Sequence, residues 1–293
     1  MRGRERGKSA RSTAHLITAA CAMVAVVAAC GSGGKGTPST TPTTVPSSST
    51  STSTVTPVSS RLVIYLIARE HVAAAGRDVT ATPTPAAALR ALVAGPHGAV
   101  ERGLGYTTAI PSGTTVRGVT VGRGVATVDL SHEFASGGGS QSMQERVAQV
   151  VFTVTQFPSI QHVRFRIDGK AVSTIGGEGL IVDNVDRATF TNVTPLILVE
   201  SPTPGQRVRS PLHAHGTSNT YEATVNYTIT DSSGAVLTEG YTTATAGTGT
   251  WGTFAFDVSF ASGHPGLGHL TAYSISPKDG AHVDVTSIPI ELP

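Results

Sequence analysis

Apolar and polar positions fall into blocks whose spacing changes along this chain. LVIYLIA, from Leu62 to Ala68, is an unbroken apolar run with the length and β-branched content of a buried strand. TPTPAAALRALVAGP follows with helical spacing: Leu89, Leu92 and Val93 sit at i, i+3 and i+4. Thr84 stands where a cap belongs, Pro85 suits the first helical position, and Gly95 with Pro96 stops the run, so a helix is predicted between them. TTVRGVTVGRGVATVDLS then reads as a hairpin turning at residues 122–124, with Ala126, Val128 and Leu130 on one face and Asp129 on the other.

A second helix is predicted in SMQERVAQVVFTVTQFP, where Met143, Val147, Val150, Val151 and Val154 keep a 3.6-residue period. Ser142 and Glu145 have the spacing of a capping box. The β-branched content opposes a helix on propensity, and the period and cap outweigh it. VRFRIDG closes the segment as a half-buried strand, Val163, Phe165 and Ile167 alternating with Arg164 and Arg166 before an Asp-Gly turn. Strands mixed with two helices make an α+β domain over residues 61–175, followed by a glycine-containing connector at 176–193.

From residue 194 to 293 the period is two throughout. ATVNYTIT alternates through Val225, Tyr227 and Ile229, and TFAFDVSF through Phe254, Phe256, Val258 and Phe260, with a turn at residues 231–234. About seven short strands in such a length fit an all-β sandwich of immunoglobulin type without the disulfide. Trp251, the only tryptophan, is expected in the core or at a strand edge. Two cores that share no strand are expected to unfold separately.

The first residues follow a different logic. Arg2, Arg4, Arg6, Lys8 and Arg11 precede an apolar run from Leu16 to Ala29, and small residues follow, which is the layout of an export signal over residues 1–29. The run is shorter than the ~20 residues that span a bilayer. Removing the leader leaves 16 basic against 18 acidic side chains, a net charge of about −2, and a chain without clustered cations lacks the means to hold nucleic acid. Residues 30–60 are almost entirely Ser, Thr, Pro and Gly after Cys30, the composition of a disordered tether. Cys21 lies within the leader, so Cys30 is the only thiol beyond it.

Candidate chemistry is sparse. Ser112 lacks the glycines of a nucleophile elbow, and Asp129, Ser131 and His132 are too close in sequence to form a triad from one strand. DGKAVST, with Lys170, lacks the earlier glycine of a phosphate loop. The glycines of residues 136–140 precede a helix N-terminus, where an anion could bind, although a simple helix start is the preferred reading. His213 and His215 share one face of a strand and would need a third ligand to chelate a metal. Asn192 and Asn226 begin N-x-T sequons. No catalytic residue, cofactor or metal is assigned.

Two resemblances add to this. VAAC at residues 27–30 resembles the lipobox of bacterial lipoproteins, which implies an acyl chain on Cys30 and a place on the extracytoplasmic face of the cell membrane. PAAALRALVAGP, AIPSGTTVRGVTVGRGVATVDLSHEF and VVFTVTQFPSIQHVRFRIDG together resemble the GerMN domain of sporulation and spore-germination lipoproteins. VESPTPGQRVRSPLHAHG, DSSGAVLTEG, GTFAFDVSF and SPKDGAHVDVTSIPIEL are similar to the immunoglobulin-like domain that follows GerMN in germination-associated proteins. The resemblance implies a GerMN-like α+β domain before an immunoglobulin-like sandwich, serving as a noncatalytic protein-interaction or scaffold module of the cell envelope. Its partners would be the membrane through the lipid anchor and other envelope proteins. The alternative is a binder of cell-wall glycan or peptidoglycan, which the 5% aromatic content does not favour.

Overall fold

The structure is a computed structural model that describes residues 60–80, 82–261 and 263–293. The leader, Cys30 and the tether up to residue 59 lie outside the described residues, and Ser60, the last residue of the expected tether, opens the first strand. The chain begins with strands β1 (Ser60–Ala68) and β2 (His71–Val79), an antiparallel hairpin in unbroken register from Ser60 opposite Val79 to Ala68 opposite His71. Arg69 and Glu70 form its two-residue turn, both at positive φ, the conformation that matches the twist of a tight hairpin. Helix α1 (Pro85–Val93) starts as expected: the Thr84 side chain accepts from Ala87 N at 3.1 Å, and Leu89 and Leu92 are fully buried. A short helix α2 (Gly98–Gly103) follows.

Strands β3 (Val116–Gly122) and β4 (Val125–Leu130) form the predicted hairpin. Helix α3 (Ser140–Val154) then crosses over to β5 (His162–Ile167), which runs parallel to β4, and β6 (Lys170–Val172) returns antiparallel. One face of this β3-β4-β5-β6 sheet presents Ala126, Val128, Leu130, Val163 and Phe165 to a core they share with the valines of α3. The helix begins two residues earlier than its sequence cap: Gly139 is the N-cap, Ser142 lies inside the first turn, and Glu145 accepts from Gln141 Nε2 at 2.9 Å. The capping box is therefore corrected, while Met143, Val147, Val150, Val151 and Val154 are all buried. Burial of that face overrides the poor helix propensity of its valines.

Helix α3 also does something its apolar stripe does not announce. Its polar residues, with Gln156 just past its end, close the free edge of β1. Thr153 Oγ1 accepts from Tyr65 N at 3.1 Å, Gln149 Nε2 donates to Tyr65 O at 3.0 Å, Gln156 Oε1 accepts from Val63 N at 3.0 Å, and Gln156 Nε2 donates to Val63 O. Gln149 and Thr153 have no exposed surface, a placement that holds only because their hydrogen bonds are made.

A small hairpin of β7 (Thr174–Ile175) and β8 (Leu180–Ile181) and a 3-10 segment at Arg187–Val193 lead to the second domain. Its strands are β9 (Ile197–Ser201), β10 (Gln206–Arg207), β11 (Leu212–Ser218), β12 (Thr224–Thr230), β13 (Val236–Thr243), β14 (Gly252–Val258), β15 (Gly266–Ile275) and β16 (His282–Leu292). They form two sheets, β14-β11-β9 and β10-β16-β15-β12-β13, whose inner faces meet through residues such as Val199, Ala214 and Phe254 on one side and Val225, Ile229, Leu270 and Ile290 on the other. Gly216 is required where β11 crosses β9, since a Cβ there would come within 2.0 Å of Leu198 O.

The predicted turn at residues 231–234 is built on Asp231. Its Oδ1 accepts from Ser233 N at 2.9 Å, Ser233 Oγ at 2.6 Å and Ala235 N at 3.0 Å, and its Oδ2 accepts from His264 N at 2.9 Å. This single carboxylate ties the β12–β13 turn to the segment before β15.

The expectation that the two cores share no strand is corrected at β9. Ile197 and Val199 belong to the sandwich core, whereas Leu198 belongs to the core of the first domain, because strand residues alternate faces and each face of β9 is covered. All described residues fall within one compact unit. The architecture is thus an α+β domain followed by an all-β immunoglobulin-like sandwich.

Candidate functional site

A connected set of partly buried polar groups lies at the junction of the two domains. Tyr65 comes from the middle of β1, Glu200 from β9, and Arg187 from the 3-10 segment between the domains, whose start is fixed by Asp186 accepting from Thr189 N at 3.0 Å. Arg187 spends its guanidinium on four partners. Nε donates to Thr155 Oγ1 at 2.8 Å, Nη1 to Glu200 Oε1 at 2.7 Å, and Nη2 to Tyr65 Oη at 3.1 Å and Phe152 O at 3.2 Å. The same group lies over the Phe152 ring, 4.7 Å from its centroid, and 5.2 Å from that of Tyr65, so ring faces supplement the hydrogen bonds.

Tyr65 in turn donates its hydroxyl to Glu200. Burial first, then the Glu200 charge, pushes that hydroxyl far above its ordinary pKa, so it stays protonated and acts as a donor. Burial works against the Arg187 charge, yet Tyr65 and Glu200 outweigh it and raise its pKa. At the far end of the junction Arg61 reaches across to Thr203, Nε at 3.0 Å and Nη2 at 2.7 Å from Oγ1.

Beside this network opens a cleft of about 220 Å³ between the domains. Phe152, Ala188 and Thr191 form one wall and Thr217 and Trp251 the other, with Arg187 also lining it. Trp251 is only partly buried, just ahead of the edge strand β14, and lines the mouth of this cleft.

The residues singled out in the sequence do not converge. Ser112 is exposed in the turn that Thr114 closes onto Pro111 O. Ser131 Oγ accepts from Thr115 N at 2.9 Å, Asp129 Oδ1 accepts from Gly169 N at 3.0 Å, and His132 stands exposed between Glu133 and Asp168. Lys170 follows the Asp-Gly turn on an exposed edge. At the start of α3 a carboxylate of the chain itself, that of Glu178, accepts from Ser140 Oγ. His213 and His215 do share a face of β11, ring centroids 5.8 Å apart, and His213 Nδ1 lies 2.8 Å from Asp257 Oδ1. Burial lowers the His215 pKa despite the neighbouring Glu200 charge, and His213 adds to the lowering. Among the described residues no group of three or more His, Cys, Asp or Glu is placed to hold a metal ion. Asn192 donates to Gln144, and Asn226 to Tyr273 O. Among the described residues no helix is long and apolar enough to cross a membrane.

Sequence reasoning missed Tyr65, Arg187 and Glu200. Each is a lone residue without a motif, and a polar residue near the middle of a strand or in a connector gains meaning only when distant segments meet.

A family model described as sporulation and spore germination matches residues 42–173, and one described as the immunoglobulin-like domain of bacterial spore germination matches residues 196–281. No curated protein matches the chain. Among solved structures, the chain is similar to the tandem GerMN domains of the sporulation protein GerM from Bacillus subtilis, at 23% identity and a TM-score of 0.39 over 69% of this chain. It spans 61% of that chain's length. It is also similar to the first GerMN domain of the same protein, at 28% identity and a TM-score of 0.35, over 44% of this chain and 98% of that one. The α+β and immunoglobulin-like parts thus follow one another in the order of the two family models, and the chain resembles a GerMN domain followed by the immunoglobulin-like domain of bacterial spore germination.

Proposed function

We propose that this protein is a membrane-anchored extracytoplasmic lipoprotein that acts through protein–protein contact, as a noncatalytic scaffold or accessory module of the cell envelope. An acyl chain on Cys30 would hold it to the membrane, with the Ser/Thr/Pro/Gly-rich segment between anchor and folded domains. The observation that carries the reading is how the buried ionisable groups are used. Arg187 and Glu200 join the domains. Arg77 holds Glu101 and Gly95 O, and Arg146 donates to the carbonyls of Ala109, Phe134, Ser136 and Gly137. Groups committed to structural partners are poor acids, bases or nucleophiles, which leaves surface and cleft as the working parts.

The test is crosslinking in intact cells with identification of what is attached, together with incubation of the protein with isolated cell wall. Recovery of one or a few envelope proteins, with the wall unbound and intact, is the expected result. Saturable binding to protein-free wall would replace the reading with a glycan binder. Release of soluble wall fragments, abolished by one point mutation, would make the protein an enzyme.

A further inference from the structure

The interdomain cleft has a definite chemistry. Its one charged lining group, Arg187, is neutralised by Glu200 at 2.7 Å and makes four hydrogen bonds within the chain, so the cleft offers no net charge to an ionic ligand. Thr194, which also lines it, donates its hydroxyl back to Phe190 O at 2.8 Å. Phe152, Ala188 and the half-buried Trp251 present carbon. At about 220 Å³ the cleft falls below the ~300–1,000 Å³ of sites for small organic ligands, and it matches the scale of one large side chain. Leu196, two residues beyond Thr194, adds exposed apolar surface nearby, 43% accessible. Small, uncharged, aromatic-walled recesses of this kind receive the anchor residues of protein interfaces.

We propose that the cleft between Phe152 and Trp251 seats a single neutral apolar side chain, aromatic or branched aliphatic, presented by a segment of a partner protein. The proposal rests on the scaffold reading and gives that scaffold its anchor point. Because both walls are needed, the recess exists only while the two domains stay joined through Arg187.

Trp251 is the only tryptophan in the chain, so its fluorescence reports on this cleft. The full-length protein is titrated with the blocked pentapeptides Ser-Thr-X-Thr-Ser, X being Phe, Leu, Ala or Asp, and separately with a chitin oligosaccharide. The expected result is a saturable Trp251 response about tenfold tighter for Phe or Leu than for Ala or Asp, the least that burying a side chain of that size should give. Ala188→Leu, at an exposed wall position, should abolish the response by filling the recess while leaving the melting temperature unchanged. Equal affinity for all four peptides, no response to any of them, an undiminished response in Ala188→Leu, or saturation by the oligosaccharide alone would overturn the proposal. Crosslinking in cells separates this failure from that of the scaffold reading: an Ala188→Leu protein that still captures its envelope partner removes the cleft and leaves the scaffold.

Discussion

Ile197 and Leu198 are consecutive residues, both almost fully buried, and they lie in different hydrophobic cores. β9 is therefore a plank with one domain on each face, and the α+β part and the sandwich cannot lose it one at a time. The intact protein is expected to unfold in a single transition. Leu198→Ala should cost about 2–5 kcal/mol and shift the transition seen by Trp251 fluorescence and the one seen by helical circular dichroism together. Two separated transitions, of which only one responds, would show that the domains fold independently.

The ion pair beneath the cleft predicts a coupling energy. Arg187 and Glu200 side chains are 26% and 13% exposed, enough burial that an orphaned partner is costly and enough exposure to keep the cost near the lower end of ~3–5 kcal/mol. Arg187→Met and Glu200→Gln should each destabilise by about 3 kcal/mol in urea unfolding, and the double variant by clearly less than the sum. Strict additivity would mean that the pair does not hold the junction.

Asp231 predicts a pH dependence of defined sign. Its carboxylate is held well below the usual range, first by the Ser233 hydroxyl and then by the backbone and ring N–H groups of His264. A depressed carboxyl contributes stability that is complete above the unfolded value of about 3.9 and is lost as pH falls below it toward the native value. Melting temperatures measured from pH 7 down to pH 2 should fall in acid for the unmodified protein. Asp231→Ala should start lower at pH 7 and show a flatter acid slope. Parallel curves would remove Asp231 as a source of the acid sensitivity.

The leader carries its own prediction. In cells fed a labelled fatty acid the mature protein should carry the label, and Cys30→Ser should lose it and either accumulate as precursor or escape the membrane. Equal labelling of both would end the lipoprotein reading.

What periodicity could reach in this chain, it reached. β1, α1, the β3–β4 hairpin and β5 stand where alternation and caps placed them, and in β1, α1, β4 and β5 the apolar face is the buried one. β2 was not legible: HVAAAGRDV has alanines and a glycine where a strand usually carries branched residues, and it becomes a strand by pairing with β1 along its whole length. The Ser142 and Glu145 spacing misled because Gly139 starts the helix with a backbone conformation instead of a side chain. The junction was invisible for a different reason. Tyr65 and Glu200 are 135 positions apart, and only tertiary closure brings Arg187 between them.

The contacts of α3 with β1 bear on how this chain behaves in company. A strand whose outer N–H and C=O groups are bare is a template on which a second chain can polymerise. In β1 the groups of Val63 and Tyr65 are instead taken by Gln149 and Thr153 of the helix and by Gln156 in the turn that follows it. The most apolar stretch beyond the leader is thereby kept from recruiting its own kind. Any loosening of α3, by heat, by truncation or by a helix-breaking substitution, would bare those groups together and turn the hairpin into a seed for aggregation.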